Sequence, residues 1–155
     1  MELSEKNLVG YRQSDSGNKI YKGFNPVTLE ESDEDFFDAT TKEVNMAMEL
    51  ANEAFSVYGH LPGSRKADFL EAIADEIEAQ GEDLINRVTA ETGLPEARCI
   101  GERGRTTGQL RMFASLLREG SWVEASVDTA KPDREPVPKP DLRKMLVPVG
   151  PVIVF

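Results

Sequence analysis

The chain is poor in the residues that build redox and metal sites. In 155 residues it has one cysteine, Cys99, and one histidine, His60. A lone cysteine cannot close an intrachain disulfide, and a thiol-poor chain fits a reducing compartment, so a cytoplasmic location is expected. One Cys and one His also fall short of a zinc ligand set, so no metal site is expected. Long apolar runs are missing as well. No stretch approaches the roughly 20 residues that span a bilayer, and the polar start Met-Glu-Leu-Ser-Glu-Lys-Asn does not read as a secretory leader. Positive charge is scarce: 18 Lys and Arg face 28 Asp and Glu, a net charge of −10. Nucleic acid and anionic lipid both require basic patches, so neither is an expected partner.

What remains is ordinary globular material, 39% hydrophobic and 30% charged, in an amount that suits about one domain with a core. Residues 5–38 read as short strands and loops. Lys19-Ile-Tyr-Lys-Gly-Phe24 carries β-formers and then meets Asn25-Pro26, which forces extended or turn geometry. The acidic run from Glu30 to Asp35 lacks the glycine and oxygen-ligand spacing of a calcium loop, so it reads as a hydrated segment.

Four helices are expected next, over about 41–58, 65–80, 82–92 and 95–119. Thr40 with Glu43 forms a capping box, and Val44, Ala47, Met48, Ala51 and Phe55 follow on one face. In the second helix, Phe69, Leu70, Ile73 and Ile77 make the expected buried stripe. Leu84, Ile85 and Val88 serve the third. Pro95 suits the first turn of the fourth, and Gly120 its end. On that fourth helix Ala97, Gly101, Gly104 and Gly108 align as a ridge almost without side chains. Each helical glycine costs about 1 kcal/mol relative to alanine, so a second backbone is expected to pass close by. The same residues could be mistaken for a phosphate loop, but they lack both the Gly-Lys-Ser/Thr of a Walker motif and the spacing of Gly-x-Gly-x-x-Gly.

Beyond Gly120, Ser121–Val127 reads as an exposed strand, 129–140 as a proline-rich connector, and Leu142–Val147 as the returning strand. Trp122 is the expected anchor of this ribbon, in the chain's own core or in a partner's surface. Val152-Ile-Val-Phe155 is continuously apolar and mostly β-branched, as in a parallel strand buried on both faces. Such a strand needs neighbours. The expectation is therefore an incomplete α/β fold that continues beyond Phe155.

Read in order, Thr40–Val44, Ala51-Asn-Glu-Ala-Phe55, Arg65-Lys-Ala-Asp-Phe-Leu70, Glu91-Thr-Gly-Leu-Pro95 and Val147–Phe155 resemble the N-terminal part of an aldehyde dehydrogenase. The similarity runs from about Gly23 to Phe155. The Glu-Thr-Gly-Leu-Pro segment, the Gly101–Gly108 ridge and the proline-rich connector resemble the branch acting on α-ketoglutaric semialdehyde. The resemblance implies oxidation of a small aldehyde to a carboxylate with NAD or NADP. A cysteine thiolate, an asparagine, a lysine and a glutamate do that work, and all of them fall beyond Phe155. No catalytic residue is therefore assigned. Cys99 lies far upstream of the family's nucleophile, with only Arg98 and Arg103 as nearby positive charge, and is expected to be a structural thiol. His60, just after a helix stop, is expected to be a surface or capping residue. Phe155 is the one cofactor-binding candidate, because the family lines part of that site at this strand.

The resemblance divides the chain into 1–120 with 148–155, the N-terminal part of the cofactor-binding domain, and 121–147, a β-ribbon arm for a homodimer or homotetramer. The alternative is a stand-alone helical interaction module without catalysis.

Overall fold

The computed structural model describes residues 5–154. Among these, two antiparallel hairpins come first: β1 (Asn7–Val9) with β2 (Arg12–Ser14), and β3 (Ile20–Asn25) with β4 (Glu30–Phe37). Gly10 turns the first hairpin at φ +62°, a conformation that favours glycine. The second ladder slips register between Lys22 and Phe24. Four α-helices follow: α1 (Thr41–Tyr58), α2 (Gly63–Ala79), α3 (Gly81–Thr92) and α4 (Glu96–Glu119). All start and stop within two residues of the sequence reading. The punctuation explains why. The Thr40 hydroxyl accepts the Glu43 N–H at 3.2 Å, while Glu43 Oε2 accepts the Thr40 N–H at 2.7 Å. Gly93 and Gly120 end α3 and α4 in the left-handed region, at φ +68° and +85°.

The centre of the molecule is the antiparallel pair α2–α4, and small residues hold it together. Ala67, Ala74 and Ala114 are fully buried, and Thr107 nearly so. Each helix contributes two of these positions seven residues apart, so they recur on one face. A Cβ added to Gly63 would lie 2.4 Å from the Leu117 carbonyl oxygen, so the backbones are in contact at that end. Ion pairs flank the seam with the same seven-residue step. Arg111 Nη2 donates to Asp75 at 2.8 Å and Nη1 to Glu78 at 2.7 Å; Arg118 Nη2 donates to Asp68 at 2.9 Å and to Glu71 at 2.7 Å. At the far end Arg103 donates to the Gly81 carbonyl at 2.9 Å, tying α3 to α4.

Three expectations are corrected. The buried stripe of α2 runs through Ala67 and Ala74, with Leu70, Ile73 and Ile77 half-buried, whereas Phe69 is exposed. The close approach on α4 is not at the glycine ridge: a Cβ on Gly101, Gly104 or Gly108 would meet nothing within 4 Å. At about 100° per residue the ridge lies about 100° around the helix from Thr107 and Ala114. Last, the ribbon is shorter than expected. Ser121–Val123 forms a 3₁₀ turn between two left-handed residues, Gly120 and Glu124, so the ladder is β5 (Ser126–Asp128) with β6 (Leu142–Lys144), flanked by one bond from the Leu146 N–H to the Val123 carbonyl at 2.8 Å and by an isolated antiparallel bridge between Lys131 and Lys139. Val152–Val154 forms no strand and is exposed, and no described strand pairs with it.

Helix α1 stands apart. Lys66 ties its end to α2 by donating to the Gly59 carbonyl at 2.9 Å, with the ammonium 5.6 Å from the Tyr58 ring centre. The chain as a whole presents 11,993 Å² to solvent. A compact monomer of 17.2 kDa would present about 7,800 Å².

Candidate functional site

Three small clusters of polar or reactive groups can be built from these elements. In the first, Arg87 of α3 reaches the β3–β4 hairpin. Its Nη1 donates to Glu34 at 2.9 Å, its guanidinium also pairs with Glu91, and it lies 5.9 Å from the Phe36 ring centre. The cavity beside it, about 240 Å³, is lined by Gly23, Asn25, Glu31, Ala90 and Glu91. With the arginine already paired with two carboxylates, this cluster fastens the hairpin to α3.

The second cluster surrounds Glu43, which is buried at the first turn of α1. The Ser14 hydroxyl, then the Thr40 N–H and hydroxyl, hold its carboxyl down at about 2. Its Oε1 has no hydrogen-bond partner among the described residues. A carboxylate at a helix N-terminus is also favoured by the helix dipole. The group is thus a permanently charged cap under β2, not a proton carrier near neutral pH.

The third is the thiol. Cys99 is buried; its sulfur accepts from the Thr89 hydroxyl at 3.4 Å and lies 3.9 Å from the Leu94 carbonyl. His60 is exposed, and its Nδ1 lies 2.9 Å from the Ser56 carbonyl, as a capping residue would. Phe155 lies outside the described residues. Trp122 is half-buried in the chain's own groove, with Phe55, Tyr58, Lys66, Leu117 and Val149.

Among the described residues no group of three or more His, Cys, Asp or Glu could hold a metal ion, and no helix is long and apolar enough to cross a membrane. Nor do these residues fit a dinucleotide. All three ladders are antiparallel pairs, so no carboxyl edge of parallel strands exists at which such a ligand would sit.

The order of elements, two hairpins followed by four helices and a ribbon, is a known one. The sequence profile of the aldehyde dehydrogenase family matches residues 11–154, and the chain belongs to that family. The particular relatives are informative. Over its whole length it is 47% identical to alpha-ketoglutaric semialdehyde dehydrogenase 2 of Azospirillum brasilense, of which it covers 30%. Over 77% of its length it is 49% identical to alpha-ketoglutaric semialdehyde dehydrogenase of Acinetobacter baylyi, of which it covers 23%. In structure it resembles a NAD-dependent benzaldehyde dehydrogenase from Corynebacterium glutamicum, with TM-score 0.73 and 17% identity over 83% of this chain and 28% of that one. The chain therefore spans less than a third of the proteins it matches, and the matched part is their N-terminal part.

The sequence reading missed the Arg87 cluster and the α2–α4 seam. The seam had a signal: acidic pairs at 68/71 and 75/78, and arginines at 111 and 118, repeat with a step of seven.

Proposed function

We propose that this chain is the N-terminal portion of an NAD(P)-dependent dehydrogenase that oxidises α-ketoglutaric semialdehyde, or a close dicarboxylic semialdehyde, to the acid. The observation that carries this is 47% identity along the entire chain to a relative of that name. NAD or NADP would accept hydride from the aldehyde carbon. The described residues contribute no group to that step. Their part is architectural: α2–α4 and the hairpins form one wall of the cofactor-binding domain, and 121–147 is the arm that joins subunits as a dimer or tetramer. Phe155 remains the proposed cofactor-side residue.

Charge supports the arm's role. Residues 121–147 contain five acidic and five basic residues, while the whole chain carries −10. Two arms can meet without the repulsion that two bodies would feel. Val127, Val137 and Leu142 are exposed along it, and a two-stranded ribbon alone is marginal.

The test is an absorbance assay of two proteins. The 155-residue chain alone should give no aldehyde-dependent NAD(P)H. A chimaera in which this chain replaces the matching segment of the Azospirillum relative should give it with α-ketoglutaric semialdehyde, and more weakly with benzaldehyde. Turnover by the short chain that disappears in Cys99→Ser would overturn the reading.

A further inference from the structure

Lys66 is the one basic residue buried among the described residues, at 9% exposure. Its ammonium donates to the Gly59 carbonyl at 2.9 Å and sits 5.6 Å from the centre of the Tyr58 ring, which Phe69 meets edge-on at 5.9 Å. The carbonyl contact accounts for a lysine at the end of α1, but it uses one of three N–H donors. Buried charges are as a rule paired with an opposite charge. Lys66 has no carboxylate beside it among the described residues, although the chain carries 28 Asp and Glu. Arg87, Arg111 and Arg118, all less buried, have two each. Lys66 lines a cavity of about 310 Å³ with Phe55, Tyr58, Leu117 and Trp122, and it is the sole charged residue in that lining. The volume lies at the lower end of small-molecule sites, roughly 300–1,000 Å³.

We propose that this cavity, at the root of the 121–147 segment, binds a small monocarboxylate with an aromatic body, its carboxylate on Lys66 and its ring among Phe55, Tyr58 and Trp122. The lysine selects the head group. A carboxylate only accepts hydrogen bonds and carries one negative charge, which matches a single ammonium with donors to spare. A phosphate fits poorly, because one ammonium would face up to two charges and the apolar walls would leave its other oxygens without donors. A neutral ligand would leave the ammonium without a counter-charge. The walls select the body, since three aromatic rings in one lining favour contact with a further ring. An anion approaches a chain of net charge −10 against the overall field, so binding depends on Lys66 locally and is modest in affinity. The inference does not rest on the proposed activity, because no residue of this cavity takes part in hydride transfer there.

Trp122 is the chain's single tryptophan, so its fluorescence reports on the cavity directly. In the 155-residue chain, benzoate should change that emission saturably, with a Kd of about 1 mM, and benzyl alcohol, its neutral counterpart, should not. Lys66→Met should weaken benzoate roughly tenfold or more, and Lys66→Arg should retain it. Val149→Glu tests the same point without touching the Gly59 tie. Val149 lines the cavity yet is 98% exposed, so the fold tolerates the change, and the added carboxylate should compete for Lys66 and weaken benzoate as well. Calorimetry on the chimaera described above should give the same order of affinities. Benzoate binding unchanged in both Lys66→Met and Val149→Glu would overturn the proposal. So would an equal response to benzyl alcohol, or no saturable benzoate signal in either protein.

Discussion

The two sides of α4 teach opposite lessons about small residues. On one side Thr107 and Ala114 meet Ala67 and Ala74 of α2 with no space to spare. On the other, Gly101, Gly104 and Gly108 face open space. Both stripes look alike in composition, since each trades side-chain volume for close approach. Only the first has its partner in this chain. What separates them is the neighbourhood: the alanine side is flanked by arginines that reach carboxylates on α2, and the glycine side is not. Small residues alone do not say what they pack against, whereas charges repeating in step on two segments do.

The largest effect should come from filling the seam. Ala74→Leu adds three carbons where none fit, and overpacking of this kind costs about 1–3 kcal/mol or more. Urea unfolding of the 155-residue chain, followed by circular dichroism, should show a clear loss. No change would mean that the helices are not in contact as described. A smaller effect of opposite sign is expected across the helix. Gly104→Ala has room for its methyl and should stabilise the chain alone by about 1 kcal/mol. The smallest effect should belong to the ion pairs, which are partly exposed and screened by solvent. Arg111, and then Thr107, hold the Glu78 carboxyl at about 2, and Arg118 holds Glu71 below its usual value of 4.5. Folded values below unfolded ones mean that this contribution is complete above about pH 4.5 and is lost as pH falls toward 2. Replacing both arginines by methionine should therefore flatten the acid limb of a stability–pH curve between pH 5 and 2. An unchanged acid limb would remove the ladder from the account.

How much of this could be read from the sequence depended on where each signal is stored. Helix limits are local, written in Thr40 with Glu43, in Pro95, and in Gly93 and Gly120, and they were legible. The α2 core was misread because hydrophobicity points to Phe69 and Ile73, while the contact is made by alanines that carry almost no hydrophobic signal. The ribbon was overextended because Ser121-Trp-Val has β-forming residues but follows a left-handed Gly120, which winds it into a turn. Val152–Val154 reads as a strand because its residues suit one. Strand pairing is a property of neighbours, and no described neighbour lies beside it. Cys99 was expected to be a structural thiol, and its side chain is buried. The Arg87 cluster links residues 53 apart in sequence, and no local pattern announces it.

A buried seam between α2 and α4 lies beside a largely bare apolar face on α1. Hydrogen exchange read by mass spectrometry measures that contrast directly, because amide protection follows local burial and stability. In the 155-residue chain, amides of residues 67–77 and 103–117 should be the slowest to exchange, and those of 44–57 should exchange at least tenfold faster. In the chimaera the 44–57 segment should slow to match the others. Protection of 44–57 equal to that of the seam in the short chain, or its persistence as a fast segment in a folded chimaera, would contradict the account.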